Sequence, residues 1–488
     1  MKAQIYFELG NTLHMAGKYD EAAENYRRAI ACRPTHAEAF HNLGVTRMIQ
    51  QRPLDAIAAY EQAVRIKPEY AEPHQNLGVL MQKLGHHDRA MHHYREALKC
   101  APDSLPVLYD LALLAQERGM LDDAVKGYGE VLARSPKHAD ACNNLGNILK
   151  ALGRPAEAID HYRQTLILDP HSVEAPWNLG LAQLLLGQWE EGWKGHEWRL
   201  RQNDVAARGL RQPLWDGSSL NGKRILLHAE QGLGDTIQFV RYAPMVQQRG
   251  GVVILECQQP LIRLLTGIDG AAELISRGQA LPEFSCHAPL LSLPGIFETR
   301  LDTIPAKVPY LDVSQVETER WSEIIYSKME GKRALKVGLV WAGNPHHRHD
   351  RVRSMASKEL SALAGIKETV FFSLQKGAPE KPELETVELF DSGMADVAAI
   401  ILNLDLVISV DTSIAHLAGA LNRPAWILLP FAPDWRWMTE RTDSPWYPSM
   451  RLYRQEKRSS WTEPLARVRA DLEKLAMTRT GRQSPPPY

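Results

Sequence analysis

Two short segments in the C-terminal half of the chain carry residues that could do chemistry. The first is the loop Gln231-Gly-Leu-Gly-Asp-Thr236, in which Asp235 follows two glycines. A carboxylate at such a loop can take the proton from an attacking hydroxyl group, and Gly232 and Gly234 let backbone and substrate come close together. Asp235 is therefore our candidate general base. The alternative is that Asp235 only caps the helix that begins there.

The second segment is the turn Asp411-Thr412-Ser413. The apolar run over residues 406–410 is typical of a strand, and residues 413–421 favour a helix, so the turn lies at a strand-to-helix corner. Free backbone N–H groups and the positive end of the helix dipole attract anions at such corners. We therefore predict that Thr412 and Ser413 bind a phosphate-bearing ligand. The alternative is a corner with a purely structural role.

The segments around these residues alternate between strands and helices, which predicts parallel sheets of the α/β class. A first set spans residues 215–312, and a second set spans residues 330–477. Two such halves form a cleft between them. The predicted strands are residues 224–228, 252–255, 289–294, 336–341, 370–374, 406–410 and 425–429, and the predicted helices include residues 235–248, 260–267, 357–364, 395–403, 413–421 and 463–476.

The pattern Asp-Thr-x-x-x-His-Leu-Ala-Gly-Ala-Leu-x-x-Pro over residues 411–424 resembles the nucleotide-sugar site of bacterial heptosyltransferases, the glycosyltransferases of family 9. The upstream Gly-Asp loop that this resemblance requires is present at Gly234-Asp235. The resemblance covers about residues 223–475. It implies a GT-B fold, in which a pair of Rossmann-like domains provides an acceptor side and a donor side. It also implies sugar transfer from a nucleotide-diphosphate sugar.

The resemblance further implies roles for single residues. Asp235 takes the role of general base, and Arg353 contacts the donor diphosphate, although Arg348 and Arg351 lie close enough in the sequence to confuse the register. His416 could face either the sugar or the sheet, where its role would be structural. The donor phosphate and sugar contacts are assigned to Asn344, Arg353, Asp411, Thr412, Ser413 and His416, and contacts to the ribose or base are assigned to Gln375 and Lys376.

One loop invites a metal hypothesis, because it contains His346, His347, His349 and Asp350. Ligands this close along a single loop rarely converge on one metal ion without a partner cluster elsewhere. No Asp-x-Asp sequence occurs after Gly222. We therefore predict a metal-independent transfer without a cofactor, in which the nucleotide sugar is a substrate.

The N-terminal two-fifths of the chain repeats with a period of 34 residues. The period, with small residues where helices cross and an aromatic residue in the second helix, resembles the tetratricopeptide repeat (TPR). About six repeats fit into residues 1–206, and stacked helix pairs of this kind form a superhelix with a concave groove. Tyrosine recurs at residues 26, 60, 94, 128 and 162, and glycine recurs at residues 10, 44, 78, 146 and 180, with Ala112 in the remaining position.

One polar position recurs in the same register without a packing need, and it is held by Asn42, Asn76, Asn144 and Asn178. A row of amide groups along the groove could bind an extended peptide backbone through paired donors and acceptors. The row resembles the asparagine ladder of the O-linked N-acetylglucosamine transferases. The alternative is that each asparagine follows the repeat consensus and bonds within its own helix.

Tryptophan is concentrated where the repeats end, at residues 177, 189, 193, 198 and 215. Side chains this large and apolar are rarely left in water, so we predict a buried junction at the start of the first α/β half. The last residues, 478–488, are rich in proline and polar residues and are predicted to be a flexible tail.

The composition excludes several classes of partner. The 57 basic and 58 acidic residues give a net charge of −1, which provides no overall field for nucleic acid. No apolar run is long enough to insert into a membrane. Five cysteines without a Cys-x-x-Cys pair argue against a disulfide framework. A cytoplasmic location is expected.

These features favour a fold of the α + α/β class, with an N-terminal TPR α-solenoid followed by a GT-B-type pair of Rossmann-like domains. The expected function is transfer of a sugar to a protein or peptide acceptor recruited by the TPR groove. Lipopolysaccharide heptosyltransferases usually lack such an array, and a polypeptide acceptor suits the groove better than a lipid core. The alternative is a scaffold or adaptor protein whose glycosyltransferase-like domain is inactive.

Overall fold

The chain divides into two compact units. The computed structural model describes residues 1–201, 208–346, 350–377, 380–389 and 393–480. The first unit comprises residues 1–152 and 160–171, and the second comprises residues 153–159 and the chain from residue 172 onward. The sixth predicted repeat therefore belongs to the second unit, together with the α/β sheets.

The repeating N-terminal sequence forms consecutive pairs of helices. A turn that contains a proline separates each pair from the next, because proline cannot continue a helix. The twelve helices within residues 1–201 are α1 (Lys2–Met15), α2 (Tyr19–Cys32), α3 (Ala37–Ile49), α4 (Pro53–Ile66), α5 (Ala71–Lys83), α6 (His87–Cys100), α7 (Leu105–Glu117), α8 (Leu121–Arg134), α9 (Ala139–Ala151), α10 (Pro155–Leu168), α11 (Glu174–Leu185) and α12 (Trp189–His196).

The recurring glycines of the first unit are explained by the recurring tyrosines. A Cβ atom added at Gly44 would lie 2.5 Å from the ring of Tyr60, and equivalent contacts of 2.5 to 2.7 Å arise at the other glycines of this register, Gly10, Gly78 and Gly146. In the fourth repeat, Ala112 occupies the glycine position, and a Cβ added at Gly127 would lie 2.7 Å from the Ala112 Cβ. In the fourth repeat, the glycine at the helix contact is therefore Gly127 on α8, which allows the close approach of α7 and α8 that the glycines on the first helix allow in the other repeats.

Replacing Gly44 by alanine is expected to lower the free energy of unfolding of the first unit by about 1–3 kcal/mol, because the added methyl group overpacks the buried Tyr60 ring. Gly129 on α8 is a matched control, since it is exposed and an added Cβ meets nothing within 4 Å. Gly129→Ala is expected to raise the same free energy by about 0.5–1 kcal/mol. Urea denaturation followed by circular dichroism measures both. A stable Gly44→Ala variant would contradict this packing.

The sixth helix pair packs into the second unit through tryptophans. Trp189 stacks on Trp446 with ring centroids 5.6 Å apart, and Trp193 meets Trp435 edge-on at 5.2 Å. Trp189, Trp193 and Trp215 are buried, as predicted, whereas Trp177 and Trp198 are half-buried. The predicted junction with the α/β sheets is therefore confirmed for the sixth pair.

The first sheet has four parallel strands in the order β3-β2-β1-β4. Its central strand β1 pairs with β2 on one side and with β4 on the other. The strands are β1 (Arg224–His228), β2 (Val252–Cys257), β3 (Glu273–Ser276) and β4 (Cys286–Pro289), and the helices of this half are α13 (Leu233–Phe239), α14 (Ala243–Gln248), α15 (Ile262–Leu265) and α16 (Leu293–Ile296).

The second sheet has six parallel strands, and α17 (Gln315–Lys328) connects the first sheet to it. The strand order is β10-β9-β8-β5-β6-β7. Counted with β5 as the first strand and read from β7, this is the 3-2-1-4-5-6 order of doubly wound sheets. Its strands are β5 (Leu335–Val340), β6 (Thr369–Ser373), β7 (Val387–Glu388), β8 (Leu406–Val410), β9 (Ala425–Leu429) and β10 (Met450–Arg454), and its helices are α18 (Asp350–Arg353), α19 (Met394–Leu402), α20 (Ser413–Ala420) and α21 (Thr462–Thr480).

The structure corrects several element predictions. The predicted strand at residues 289–294 is wrong, because β4 ends at Pro289 and helical turns follow it. The strands β3, β7 and β10 were not predicted, and the polar loop 342–354 contains the short helix α18. The predicted tail begins inside α21, which continues to Thr480, and residues 481–488 lie outside the described residues. Among the described helices, none combines the length and apolar character that crossing a bilayer requires.

Candidate functional site

The second sheet has one topological switch point, between β5 and β8. These strands are neighbours, but the chain continues from β5 toward β6 and β7 on one side and from β8 toward β9 and β10 on the other. In open α/β sheets, ligands bind in the crevice outside the carboxyl ends of the strands at such a point. The loop after β5 begins at Trp341, and the turn after β8 is Asp411-Thr412-Ser413. The predicted corner therefore lies at the switch point.

Thr412 forms the start of α20. It is the N-cap residue, and its carbonyl oxygen accepts a hydrogen bond from the Ala415 N–H at 3.1 Å. Its hydroxyl group lies 3.0 Å from the Ser409 hydroxyl, within the protein. The first N–H groups of a helix have no acceptor within the helix. Backbone N–H groups rather than the Thr412 hydroxyl are therefore the more accessible donors at this corner.

The Asp235 carboxylate is held through both oxygen atoms. Its Oδ2 atom accepts a hydrogen bond from the Gly232 N–H at 2.8 Å, and its Oδ1 atom accepts one from Arg436 Nη2 at 2.5 Å. Gly232 is the N-cap residue of α13, and Asp235 is the third residue of that helix. The structural alternative is thus present in part, because Asp235 supports the start of α13. A carboxylate has further acceptor positions, so the general-base role stays a prediction.

The two predicted segments lie in direct contact. Helices α13 and α20 pack together, and Gly234 lies at their closest approach. A Cβ atom added at Gly234 would lie 2.8 Å from His416 Cδ2 and 3.3 Å from Ser413 Cα. The glycine therefore lets the Asp235 loop of the first sheet reach the N-terminus of α20 on the second sheet.

His416 is buried against the same contact. Its Nδ1 atom lies 3.0 Å from the Tyr447 hydroxyl, and its ring stacks on Trp437 with centroids 5.6 Å apart. Burial, together with the charge of Arg436, lowers the pKa of His416 well below its usual value. The imidazole is therefore neutral. It packs between the two halves, and a contact with a sugar stays a prediction.

Among the described arginines of the loop after β5, Arg353 faces the corner at Asp411 and Thr412. Its guanidinium covers Gly343, since a Cβ added there would lie 2.6 Å from Arg353 Nη2. Its charge acts on Asp411 and on His416, whereas Arg351 is exposed and Arg348 lies outside the described residues. Arg353 therefore lies beside the corner, and its contact with a donor diphosphate stays a prediction.

The other predicted residues of the loops after β5 and β6 are exposed or bind backbone groups. Asn344 is exposed, and its Oδ1 atom accepts the His346 N–H at 3.0 Å. The Gln375 side chain binds backbone, accepting the N–H groups of Trp341 and Ala342 at 3.0 and 2.9 Å. Gln375 thus fixes the loop after β5, and Lys376 beside it is exposed. Their contacts with phosphate, ribose or base stay predictions.

Asp411 carries an unusual ionisation. Burial and the nearby Asp434 carboxylate raise the pKa of Asp411 to about 6, although Trp437, Arg436 and Arg353 act in the opposite direction. A carboxyl group with this pKa carries a proton below pH 6 and a negative charge above it. The charge at the switch point therefore depends on pH.

The sequence analysis missed the central cation of the site, Arg436. Its Nη1 atom donates to Asp434 at 2.9 Å, its Nη2 atom to Asp235 at 2.5 Å, and its Nε atom to Gln238 at 2.6 Å. Arg436 lies after β9, next to β8 in the sheet. A signal was available, because Asp434-Trp435-Arg436-Trp437 follows a predicted strand at the same sheet edge.

The predicted asparagine positions form bonds between repeats. Asn42 Nδ2 donates to Asn11 Oδ1 at 2.8 Å, and Asn144 Nδ2 donates to the Tyr109 hydroxyl at 3.0 Å. Asn76 Nδ2 lies 3.1 Å from His41 Nε2. Each partner belongs to the preceding repeat, so these amide groups bond between repeats and not only within their own helices. Asn178, in the second unit, is buried.

The described residues provide no metal site. Within those ranges, no group of three or more His, Cys, Asp or Glu side chains is placed to hold a metal ion. His346 is exposed, Asp350 bonds with Ser354 and Arg353, and His347 and His349 lie outside the described residues.

Comparison with known sequences identifies the repeats. The family described as tetratricopeptide repeat matches residues 35–103, 107–138 and 139–172, and the family described as TPR repeat matches residues 10–51. The N-terminal region consists of tetratricopeptide repeats. No glycosyltransferase family match supports the C-terminal domain.

One curated relative and several solved structures are similar to parts of the chain. Protein FlbA of Caulobacter vibrioides is 27% identical over 328 residues, which cover 60% of this chain and 54% of the relative. The chain thus spans about half the length of that relative. The crystal structure of MamA protein is 22% identical, covering 36% of this chain and 94% of its own, with a TM-score of 0.33. YrrB, described as a TPR protein with an unusual peptide-binding site, is 21% identical, covering 35% and 88%, with a TM-score of 0.33.

Proposed function

We propose that this protein is a glycosyltransferase that moves a sugar from a nucleotide-diphosphate sugar to an acceptor, with its two parallel sheets in a GT-B arrangement. One observation carries the proposal. The Asp235 loop of the first sheet contacts the N-terminus of α20 at the switch point of the second sheet. A possible base and an anion-binding helix end therefore lie side by side.

The chemistry follows from these positions. The donor diphosphate binds at the N-terminus of α20, where Arg353 offsets the charge that develops on it. The bond between the anomeric carbon and the diphosphate oxygen breaks while the acceptor oxygen forms a new bond to that carbon. The acceptor proton passes to the Asp235 carboxylate. Asp411, Ser413 and His416 lie beside the α20 N-terminus and complete the donor side in this proposal.

A protein or peptide is the acceptor that suits the repeats. TPR arrays present extended concave surfaces to such partners. The side chains of Asn42, Asn76 and Asn144 are half-buried, and each bonds to the preceding repeat. In this proposal, the row of amide groups lines the face that receives the acceptor backbone. The acceptor specificity would then reside in the repeats and the transfer chemistry in the α/β sheets.

A scaffold with an inactive transferase-like domain is the second candidate. It is favoured by the engagement of both Asp235 oxygens, with Gly232 and with Arg436, because these contacts alone account for a structural aspartate. It also agrees with the protein-interaction role that TPR repeats suggest. Incubation with a panel of nucleotide sugars, with release of free nucleotide measured, separates the candidates. The transferase turns over one donor, whereas the scaffold turns over none, whether or not it binds a nucleotide. Parallel calorimetric titrations with ADP, GDP, UDP and TDP identify the preferred nucleotide.

Nucleotide binding is expected to depend on the protonation of Asp411. Above pH 6 its charge repels a diphosphate, so we expect the affinity for the preferred nucleoside diphosphate to be about threefold to tenfold higher at pH 5.5 than at pH 7.5. Asp411→Asn removes the titrating group and should show similar affinities at both pH values. Titration calorimetry measures the affinity of both proteins at both pH values. The comparison of the two proteins removes the effect of the ligand's own protonation, which is the same for both. An unchanged pH dependence in the variant would contradict this role.

A further inference from the structure

The space between the Asp235 loop and the α20 corner is occupied by the Arg436 guanidinium. Arg436 is buried and bonds to Asp235 and Asp434, and its charge also acts on Asp411. Its Cζ atom lies 4.5 Å from the centroid of the Trp435 ring and 5.4 Å from the centroid of the Phe239 ring. Side chains from both sheets therefore hold one cation at the centre of the candidate site.

The local charge balance is unfavourable for a diphosphate as long as this pairing persists. Two cations, Arg436 and Arg353, face four carboxylates, which are Asp235, Asp350, Asp411 and Asp434. An approaching diphosphate adds at least two negative charges. It can bind only if a guanidinium exchanges a carboxylate for phosphate oxygens, because buried charges require partners.

One buried donor beside Arg436 lacks an acceptor among the described residues. Gln238 accepts from Arg436 through Oε1, and its Nε2 atom has no hydrogen-bond partner. Buried donors in native proteins are nearly always satisfied. An unmet donor next to a guanidinium fits a bound ligand that brings acceptor oxygens to this site.

We infer that Arg436 is a diphosphate-binding residue, and that donor binding draws its guanidinium away from Asp235 and thereby frees the carboxylate to act as a base. The inference rests on the proposed glycosyl transfer. Arg436 follows β9, directly beside the α20 corner, and a guanidinium matches phosphate oxygens bidentately. Its contact with the Trp435 ring and its bond to Gln238 can persist while the bond to Asp235 is exchanged.

The exchange gives the site an order of events. Without the donor, both oxygen atoms of Asp235 are engaged, one by the Gly232 N–H and the other by Arg436. With the donor bound, the guanidinium faces phosphate and the carboxylate is available to the acceptor hydroxyl. The base is therefore active only when a sugar is present to be transferred.

A double-mutant cycle tests this exchange. The preferred nucleoside diphosphate among ADP, GDP, UDP and TDP is titrated into the wild-type protein, Arg436→Gln, Arg436→Lys, Asp235→Asn and the double variant Asp235→Asn/Arg436→Gln. Arg436→Gln is expected to weaken binding about 30-fold or more, and Arg436→Lys about tenfold, because lysine keeps the charge but not the bidentate geometry. Asp235→Asn is expected to tighten binding about threefold to tenfold, because it removes the competing partner.

The decisive comparison is between Asp235→Asn made in the wild-type protein and the same substitution made in the Arg436→Gln variant. Asp235→Asn should not tighten nucleotide binding when Arg436 is already glutamine. Arg451→Gln, which removes an arginine paired with Asp471 on α21, is a control that should bind like the wild type.

Circular dichroism and melting temperature establish that each variant is folded, and Arg436→Lys keeps a cation if glutamine prevents folding. Wild-type affinity in folded Arg436→Gln and Arg436→Lys, or equal effects of Asp235→Asn in both backgrounds, overturns the inference alone. Absence of nucleotide binding by the wild-type protein overturns the proposed function as well.

Discussion

Replacing Asp235 by asparagine is expected to lower the rate of sugar transfer by about 10³-fold without weakening nucleotide binding. Positioned general bases contribute about 10² to 10⁴ in rate, and an amide cannot take the acceptor proton. The asparagine Oδ1 atom can still accept the Gly232 N–H that Asp235 now binds, so the start of α13 is preserved. Release of free nucleotide from the preferred nucleotide sugar, measured in the presence of acceptor, gives the rate.

The control for this substitution is Asp443→Asn. Asp443 pairs with Arg441 at the surface of the second α/β half and does not touch the candidate base. The control should retain wild-type activity. If Asp235→Asn instead loses nucleotide affinity together with activity, the carboxylate is structural, and the general-base assignment is wrong.

Replacing Arg199 by methionine is expected to lower the free energy of unfolding of the second unit by about 3–5 kcal/mol, because it strands a buried carboxylate. Arg199 is almost fully buried and donates to Glu230 at 2.8 Å, to Glu197 at 2.6 Å and to Ser292 at 2.7 Å. Glu230 is itself buried, so water cannot replace the lost partner. Urea denaturation followed by tryptophan fluorescence measures the loss.

The destabilisation should depend on pH in a defined direction. Burial raises the pKa of Glu230 even with Arg199 present, and removal of the guanidinium raises it further. A carboxyl group whose pKa is higher in the folded state binds a proton more readily there than in the unfolded chain. Lowering the pH from 8 to 5 should therefore reduce the stability difference between the Arg199→Met variant and the wild type.

The matched control is the double variant Arg199→Met/Glu230→Gln, which replaces the stranded charge by a neutral amide. It should recover a large part of the lost stability at pH 8. An equal loss at pH 5 and pH 8, with no recovery in the double variant, would show that Arg199 acts through packing rather than through its charge.

Local pattern was sufficient to predict the elements that carry the site. The strands at residues 406–410 and 425–429 have the predicted bounds, because buried parallel strands are continuous apolar runs. The 34-residue period predicted the repeats, because the close Gly44–Tyr60 packing recurs in nearly every repeat and constrains the sequence at a fixed spacing. The Asp235 and Thr412 segments meet because each follows a strand at the carboxyl edge of its sheet.

Long-range partners were not predictable in the same way. Arg436 bonds to a carboxylate 201 residues earlier in the chain, and no periodicity connects the two positions. The asparagines of the repeats have the predicted register, but their donors point to the preceding repeat, which depends on how neighbouring helix pairs stack. Short edge strands such as β7, with two residues, carry too little apolar pattern to be recognised.

In the proposed function, an acidic residue after a strand of one sheet and a helix N-terminus on the other sheet transfer a sugar between them. Incubation of the full chain with a panel of nucleotide sugars, with free nucleotide measured over time, tests this transfer most directly. We expect turnover of one donor by the wild-type protein and its loss in Asp235→Asn. Absence of turnover with every donor in the presence of candidate acceptors, or equal turnover by the wild type and Asp235→Asn, would contradict it.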